Sequence, residues 1–170
     1  EGPWAIWYPN SDQIKEQGFH QGGIREGLTT YYYKDGIMQR EGYFKNGLPD
    51  GVWTYWNTKG VKDFDFDFGS GLEHIALEDL VERESIFYKL GEDKPFTGII
   101  TQENQEMGYL FLGRTQEGKK DGQWVKWFPS GKDVPEIILV DVPEPEPDLP
   151  WSGGKQEQGG YKNGKKHGQW

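Results

Sequence analysis

Cysteine is absent from the 170 residues, and methionine and histidine appear only 2 and 3 times. Without thiols there is no disulfide framework and no thiolate metal site, and the chain suits an oxidising or a reducing compartment equally. Leucine, isoleucine and valine are sparse, and no apolar run approaches the roughly 18 residues of a membrane-spanning helix. Positive charge is also short, with 19 basic against 28 acidic residues and a net charge of -9. A chain this acidic is a poor match for a nucleic-acid backbone or an anionic membrane surface, so no nucleic-acid partner and no strong membrane binding are expected. Lys119-Lys120 and Lys165-Lys166 sit beside turns and read as solvated turn residues.

In place of aliphatics the chain carries 8 Trp, 9 Tyr and 9 Phe, together with 25 Gly, and both sets recur at a fixed spacing. The closing phrase YKNGKKHGQW returns as YFKNGLPDGVW at Tyr43 to Trp53 and as QEGKKDGQW at Gln116 to Trp124. Each phrase sets one Gly in a turn, a second Gly four residues later, and Trp two residues after that. The second Gly recurs at Gly2, Gly27, Gly51, Gly98, Gly122 and Gly168, at gaps of 24 or 25 residues or close to twice that. Such a ruler predicts seven units of 23 to 25 residues, the last cut short, forming one continuous array over 1–170. Since the ends fall in mid-phrase, the expectation is a piece of a longer array.

Within a unit, Gly51-Val-Trp-Thr-Tyr-Trp56 alternates, with Trp53 and Tyr55 on one face and Val52, Thr54 and Trp56 on the other. Aromatic and β-branched residues at period two read as strands, and Asn-Gly at Asn46-Gly47 and Asn163-Gly164 reads as a tight hairpin turn. The expected fold is therefore all-β, an elongated single-layer array of stacked antiparallel β-hairpins with an aromatic ladder on each face. One ladder is Trp4, Thr29, Trp53, Trp124 and Trp170; the other is Trp7, Tyr32, Trp56 and Trp127. Trp7, Tyr32, Trp56 and Trp127 are the candidate partner-binding face, because the first ladder flanks the glycine turns, where packing is obligatory.

Two stretches depart from the pattern, at about 69–94 and 132–153. In the first, Ser70-Gly71-Leu72-Glu73 matches a capping box, which predicts a short helix over 72–81. In the second, VPEPEPDLP at Val142 to Pro150 replaces a glycine-rich turn with proline and acid, and reads as an irregular unit. Asp63, Asp65 and Asp67 resemble the start of a calcium loop, but Phe68 and His74 stand where that loop needs Gly and Glu, so a solvated acidic face is the expectation.

The phrase YKNGKKHGQW, with WFPSGK following the Trp124 copy, resembles the bacterial variant of the membrane occupation and recognition nexus (MORN) repeat. Asp79 to Arg83, Phe87-Tyr88 and Pro95 to Gly98 are similar to the unit that often opens such arrays. The resemblance implies an elongated sheet of hairpins serving as scaffold or binding surface, in proteins that are often secreted or anchored in the cell envelope, some of them antitoxins of toxin-antitoxin pairs.

A catalytic constellation does not emerge. His20, His74 and His167 are far apart, no phosphate-cradling loop leads into a helix, and the carboxylates Glu82 and Glu84 carry no mark beyond a solvated face. The expected role is a non-catalytic scaffold that binds a protein partner, needing no cofactor and no metal. The alternatives are a carbohydrate- or lipid-binding platform of exposed aromatics, and an antitoxin. Array ends cut in phase would also leave unpaired strand edges, so self-association through them is expected.

Overall fold

A computed structural model describes residues 1–104, 109–128 and 157–167. The proline and acid run at 142–150, the irregular unit at 132–153 and Trp170 lie outside the described residues. Six strands open the chain: β1 (Gly2–Trp7), β2 (Ile14–Gln21), β3 (Ile24–Tyr32), β4 (Met38–Lys45), β5 (Leu48–Trp56) and β6 (Lys62–Asp67). They pair antiparallel in chain order as one meandering sheet, here sheet A. Alternating aromatic and β-branched residues favour the pleated backbone, and Asn46-Gly47 turns the β4–β5 hairpin with both residues at positive φ.

Where the structure describes it, the second glycine of the phrase is not in a turn. Gly27, Gly51 and Gly122 lie inside strands at φ of 75°, 64° and 72°, beside register shifts in the ladders. Each is a bulge that only a residue at ease with left-handed φ makes cheaply, and it resets which side chains face inward.

Units are locked to their neighbours one period apart. The Tyr8 hydroxyl donates to the Tyr32 carbonyl at 2.7 Å, and the Tyr33 hydroxyl donates to the Trp56 carbonyl at 2.7 Å. Gly47 N–H likewise donates to the Arg25 carbonyl, and Gly164 N–H donates to that of Lys120, close to two periods back.

After β6 the array stops growing sideways. The strand β7 (His74–Ala76) runs parallel to β10 (Gly98–Asn104) and heads a second six-stranded sheet, sheet B. From β10 that sheet continues through β11 (Tyr109–Gln116), β12 (Lys119–Trp127), β13 (Glu157–Lys162) and β14 (Lys165–His167). A parallel pair cannot be joined by a tight turn, and the crossover from β7 to β10 holds a separate hairpin, β8 (Leu80–Arg83) with β9 (Ile86–Lys89). The helix expected over 72–81 does not form. Only Leu77–Asp79 makes a 3-10 turn, and its cap residue Ala76 supplies no side-chain hydrogen bond. The apolar Leu72 to Val81 run is spent on strands and on burying Leu77 and Leu80.

The all-β, hairpin-by-hairpin architecture is as expected, whereas the single layer is not. One core contains Tyr31, Phe44, Trp53, Tyr55 and the three phenylalanines of Phe64 to Phe68 from the sheet A side, and Ile99, Leu110, Leu112, Val125 and Trp127 from sheet B. The sheets therefore pack on each other. On the opposite side of sheet B, Ile100 and Trp124 pack with Phe87 and Phe96 from the crossover. The physical reason is area: neighbouring rungs cover the edges of an aromatic ring and leave its outer face wet, and each large side chain fully buried stabilises by about 2 kcal/mol. Ile99, Leu112 and Val125 supply that cover and are themselves at most 2% exposed.

Specific contacts seal the seam. Trp127 Nε1 donates to Asp63 Oδ2 at 2.7 Å, and Gln123 Nε2 donates to the Asp65 carbonyl at 2.7 Å, which covers the edge strand of sheet A. The Trp127 ring meets Tyr55 and Phe64 edge-on, at 5.4 and 5.6 Å between centroids. Arg40 reaches across to Glu103 at 3.4 Å and lies over the Tyr31 ring.

Within each sheet one contact recurs. Trp53 lies on Gly42 of the preceding strand and donates its indole N–H to the Tyr43 carbonyl at 3.1 Å; Trp124 lies on Gly113 and donates to the Arg114 carbonyl at 2.9 Å. A Cβ on Gly42 would stand 2.3 Å from the Trp53 ring, whereas one on Gly22, in the β2–β3 turn, would touch nothing within 4 Å. Gly42→Ala is therefore expected to cost about 3 kcal/mol or more by displacing a buried indole, against about 1 kcal/mol for Gly22→Ala from left-handed strain alone. Urea unfolding of both variants checks the difference. The β8–β9 turn places Glu84 and Ser85 at φ of 53° and 63°, so Ser85→Gly is expected to stabilise by about 1 kcal/mol, read as a raised melting temperature.

Candidate interaction surface

The far face of sheet A is built by the same alternation that buries Trp53 and Tyr55. Around the bulges, Phe19, Leu28, Tyr43 and Val52 project outward from β2, β3, β4 and β5, each between 43% and 58% exposed. Leu28 and Tyr43 are direct cross-strand partners, so they form one apolar patch. Half-exposure of four neighbouring large side chains exceeds the scattered single hydrophobics of an ordinary surface.

Beside that row runs a polar one. Gln17 pairs with Thr30, Thr30 with Glu41, Glu41 with Thr54, and Thr54 with Asp65. Thr30 Oγ1 donates to Glu41 Oε2 at 2.9 Å and Thr54 Oγ1 to Asp65 Oδ1 at 2.7 Å. The hydrogen bond from Lys62 is the main cause holding the Asp65 carboxyl below the usual range, with Thr54 adding to it. The Asp65 carboxylate therefore stays ionised, and the two hydrogen-bonded pairs make a fixed polar ladder across the sheet.

A third row holds three of the four candidate aromatics. Trp7 is 53% exposed, and Tyr32 and Trp56 are half-buried, with Gln17 Nε2 donating to the Tyr32 hydroxyl at 2.8 Å. Trp127 does not join them. At 2% exposure it is a centre of the core between the sheets, because the face of sheet B corresponding to the outer face of sheet A is turned onto the β6 edge. The candidate binding face thus keeps Trp7, Tyr32 and Trp56 and loses Trp127. The row of Phe19, Leu28, Tyr43 and Val52 was outside that expectation. Its signal was present in the residue directly after the bulge glycine, Leu28 after Gly27 and Val52 after Gly51, once the bulge is known to turn it outward.

Asp63, Asp65 and Asp67 are each engaged by protein donors: Trp127 and Asn57, Thr54 and Lys62, and the Gly69 N–H. Among the described residues no group of three or more His, Cys, Asp or Glu side chains is placed to hold a metal ion. His20 stacks on Trp4 and His74 on Phe68, while His167 is exposed at the end of β14. Glu82 is half-buried in β8, where burial pushes its carboxyl up against the opposing pull of Lys120; Glu84 is in the exposed turn beyond. No helix among the described residues is long and apolar enough to cross a membrane. Comparison of the chain with protein-family models, curated proteins and solved structures finds no match in any of the three.

Burial lowers the pKa of His74, so the folded state favours the neutral ring. The unfolded chain then binds more protons below its ordinary pKa near 6.5, and stability falls as pH drops from about 7 toward 5.5. Chemical denaturation across that window should show the loss, and His74→Phe should flatten it.

Proposed function

We propose that the chain is a non-catalytic protein-binding module that presents the outer face of sheet A to its partner. The observation that carries this reading is the row of Phe19, Leu28, Tyr43 and Val52, half-exposed on a face no other described part of the chain covers. The inner face of the same sheet spends its aromatics on the core. An apolar row beside a fixed polar ladder has the anatomy of a protein interface, with a dry strip for affinity and hydrogen-bonding groups for register. The rigid sheet beneath limits the entropy lost on docking. The resemblance to the bacterial MORN variant makes a toxin or an envelope protein the class of partner to look for first.

Cross-linking mass spectrometry on the protein from its native source should place a stoichiometric partner on Lys45 and Lys62, which border the face. Tyr43→Glu combined with Val52→Glu should weaken that partner by about tenfold or more while changing folding stability by only about 0.5 kcal/mol, because both side chains are exposed. Cross-links confined to sheet B, or binding that the double variant leaves unchanged, would sink the assignment. Retention on a glycan or lipid support through Trp7, with no protein partner, would replace it with the sugar- or lipid-binding reading.

A further inference from the structure

Arginine lies on one side of sheet A only. On the inner face Arg25 sits over the Phe44 ring, 5.3 Å from its centroid, and pairs with Glu16 at 3.2 Å. Arg40 sits over the Tyr31 ring at 4.2 Å and reaches Glu103 at 3.4 Å. Both are the same three-part unit, an aromatic ring with a guanidinium on its face and a carboxylate at the guanidinium's end.

The outer face has the rings and the carboxylates without the guanidinium. Tyr43, the most exposed of the apolar row, has Asp50 as its direct cross-strand partner and Glu41 two residues back on the same face. Phe19 is paired in the same way with Glu26, and Val52 with Asp67. Among the described residues none of Glu26, Glu41, Asp50 and Asp67 enters an ion pair. Of the five basic residues in β2 to β6, Arg25 and Arg40 point inward, while Lys15, Lys45 and Lys62 stand at or next to strand ends. Apolar side chains that each neighbour a carboxylate disfavour an acidic or a purely apolar partner. They match one whose own apolar residues are interleaved with cations.

Shape follows from the backbone. Each of β2 to β5 has a hydrogen-bonded strand on both sides, so this face offers no edge and a partner must dock by side chains alone. A helix, whose backbone hydrogen bonds are internal, meets that condition, whereas an extended segment laid on the face would leave its N–H and C=O groups unpaired. The apolar row crosses four strands, roughly 14 Å, a length that about ten residues of helix cover.

We propose that the outer face of sheet A docks a basic amphipathic helix of a partner protein, with an arginine laid on Tyr43 within reach of the Glu41 and Asp50 carboxylates. The apolar residues of that helix lie along Phe19, Leu28 and Val52. Arginine fits the seat better than lysine because its planar group both stacks on a ring and forks onto a carboxylate. This inference rests on the protein-binding reading above and adds the chemistry of the partner.

The test titrates the intact chain, labelled with nitrogen-15, with three synthetic helical peptides of about 14 residues, leucine on one face and arginine, lysine or glutamine on the other. The arginine peptide should bind most tightly, with shifts at Leu28, Tyr43 and Val52. Its affinity should fall about tenfold or more for Glu41→Gln with Asp50→Asn. An equal change of charge elsewhere, Glu78→Gln with Asp79→Asn on the exposed turn after β7, should leave it nearly unchanged. Equal losses in the two double variants would reduce the binding to net charge and overturn the proposal, and equal binding of the lysine peptide would overturn the arginine seat. Glutamine peptide bound on this face as tightly as arginine would overturn the basic helix while leaving the protein-binding reading intact. No binding of the arginine peptide at about 1 mM by a folded chain also overturns it, and the cross-linking of the native partner then decides separately whether the face binds protein at all.

Discussion

The indole on a glycine of the neighbouring strand is the contact from which the rest of the architecture follows. A large flat ring can lie flush on a sheet only where the strand beneath has no side chain, and its N–H then meets a carbonyl already in reach. Trp53 on Gly42 and Trp124 on Gly113 satisfy both conditions with the same atoms, 71 residues apart. The bulge glycines Gly51 and Gly122 set the alternation that turns those tryptophans inward. At Trp53 and Trp124 the tryptophan, its seat and the bulge recur together, whereas the β2–β3 hairpin keeps the bulge at Gly27 and a bare Gly18 but carries Thr29 in the tryptophan slot.

The same contact explains why one layer is insufficient. Flattening Trp53 against its own sheet leaves Tyr55, Phe64 and Phe66 standing proud of it, and these are the rings on or beside the seam with sheet B. Sheet B presents aliphatics there, mainly leucine and isoleucine, along with Trp127. Ile99, Leu110, Leu112 and Val125 thus supply cover where the ladder cannot bury itself. Turning one face of sheet B toward this seam and the other toward the β8–β9 hairpin leaves the outer face of sheet A as the open aromatic face.

Much of this is legible in the residues. The periodic phrase identifies the hairpins, their Asn-Gly turns and the inward pair Trp53 and Tyr55, because these depend on backbone preference and period-two alternation alone. Three features escape it for a common reason: they are set by contacts distant in sequence. Trp127 has the same local setting as Trp56, yet one is core and the other half-buried, and partners distant in sequence, Asp63 with Tyr55 and Phe64, separate them. The apolar stretch at Leu72 to Val81 satisfies a helical cap on paper but is drawn into strands by β10 and the core behind it. The bulge at Gly27 or Gly51 reads as a turn until the strand continuing through it is seen, so the outward position of Leu28 and Val52 was hidden. The candidate surface was half visible: Trp7, Tyr32 and Trp56 came from periodicity, and the apolar row beside them came from the bulges.

Strand order in sheet A equals chain order, and this has a kinetic meaning. Every pairing in that sheet closes a short loop, so its hairpins can zip one after another at small entropic cost. The seam with sheet B is of the opposite kind, resting on partners such as Asp63 and Trp127, and the parallel pair β7–β10 must wait for a crossover of more than twenty residues to close. Folding should then begin in sheet A, between Gly2 and Asp67, and finish with docking of the sheets. The last step is also the slow one, and until it completes, the aromatic rings of β5 and β6 remain open to any apolar surface nearby.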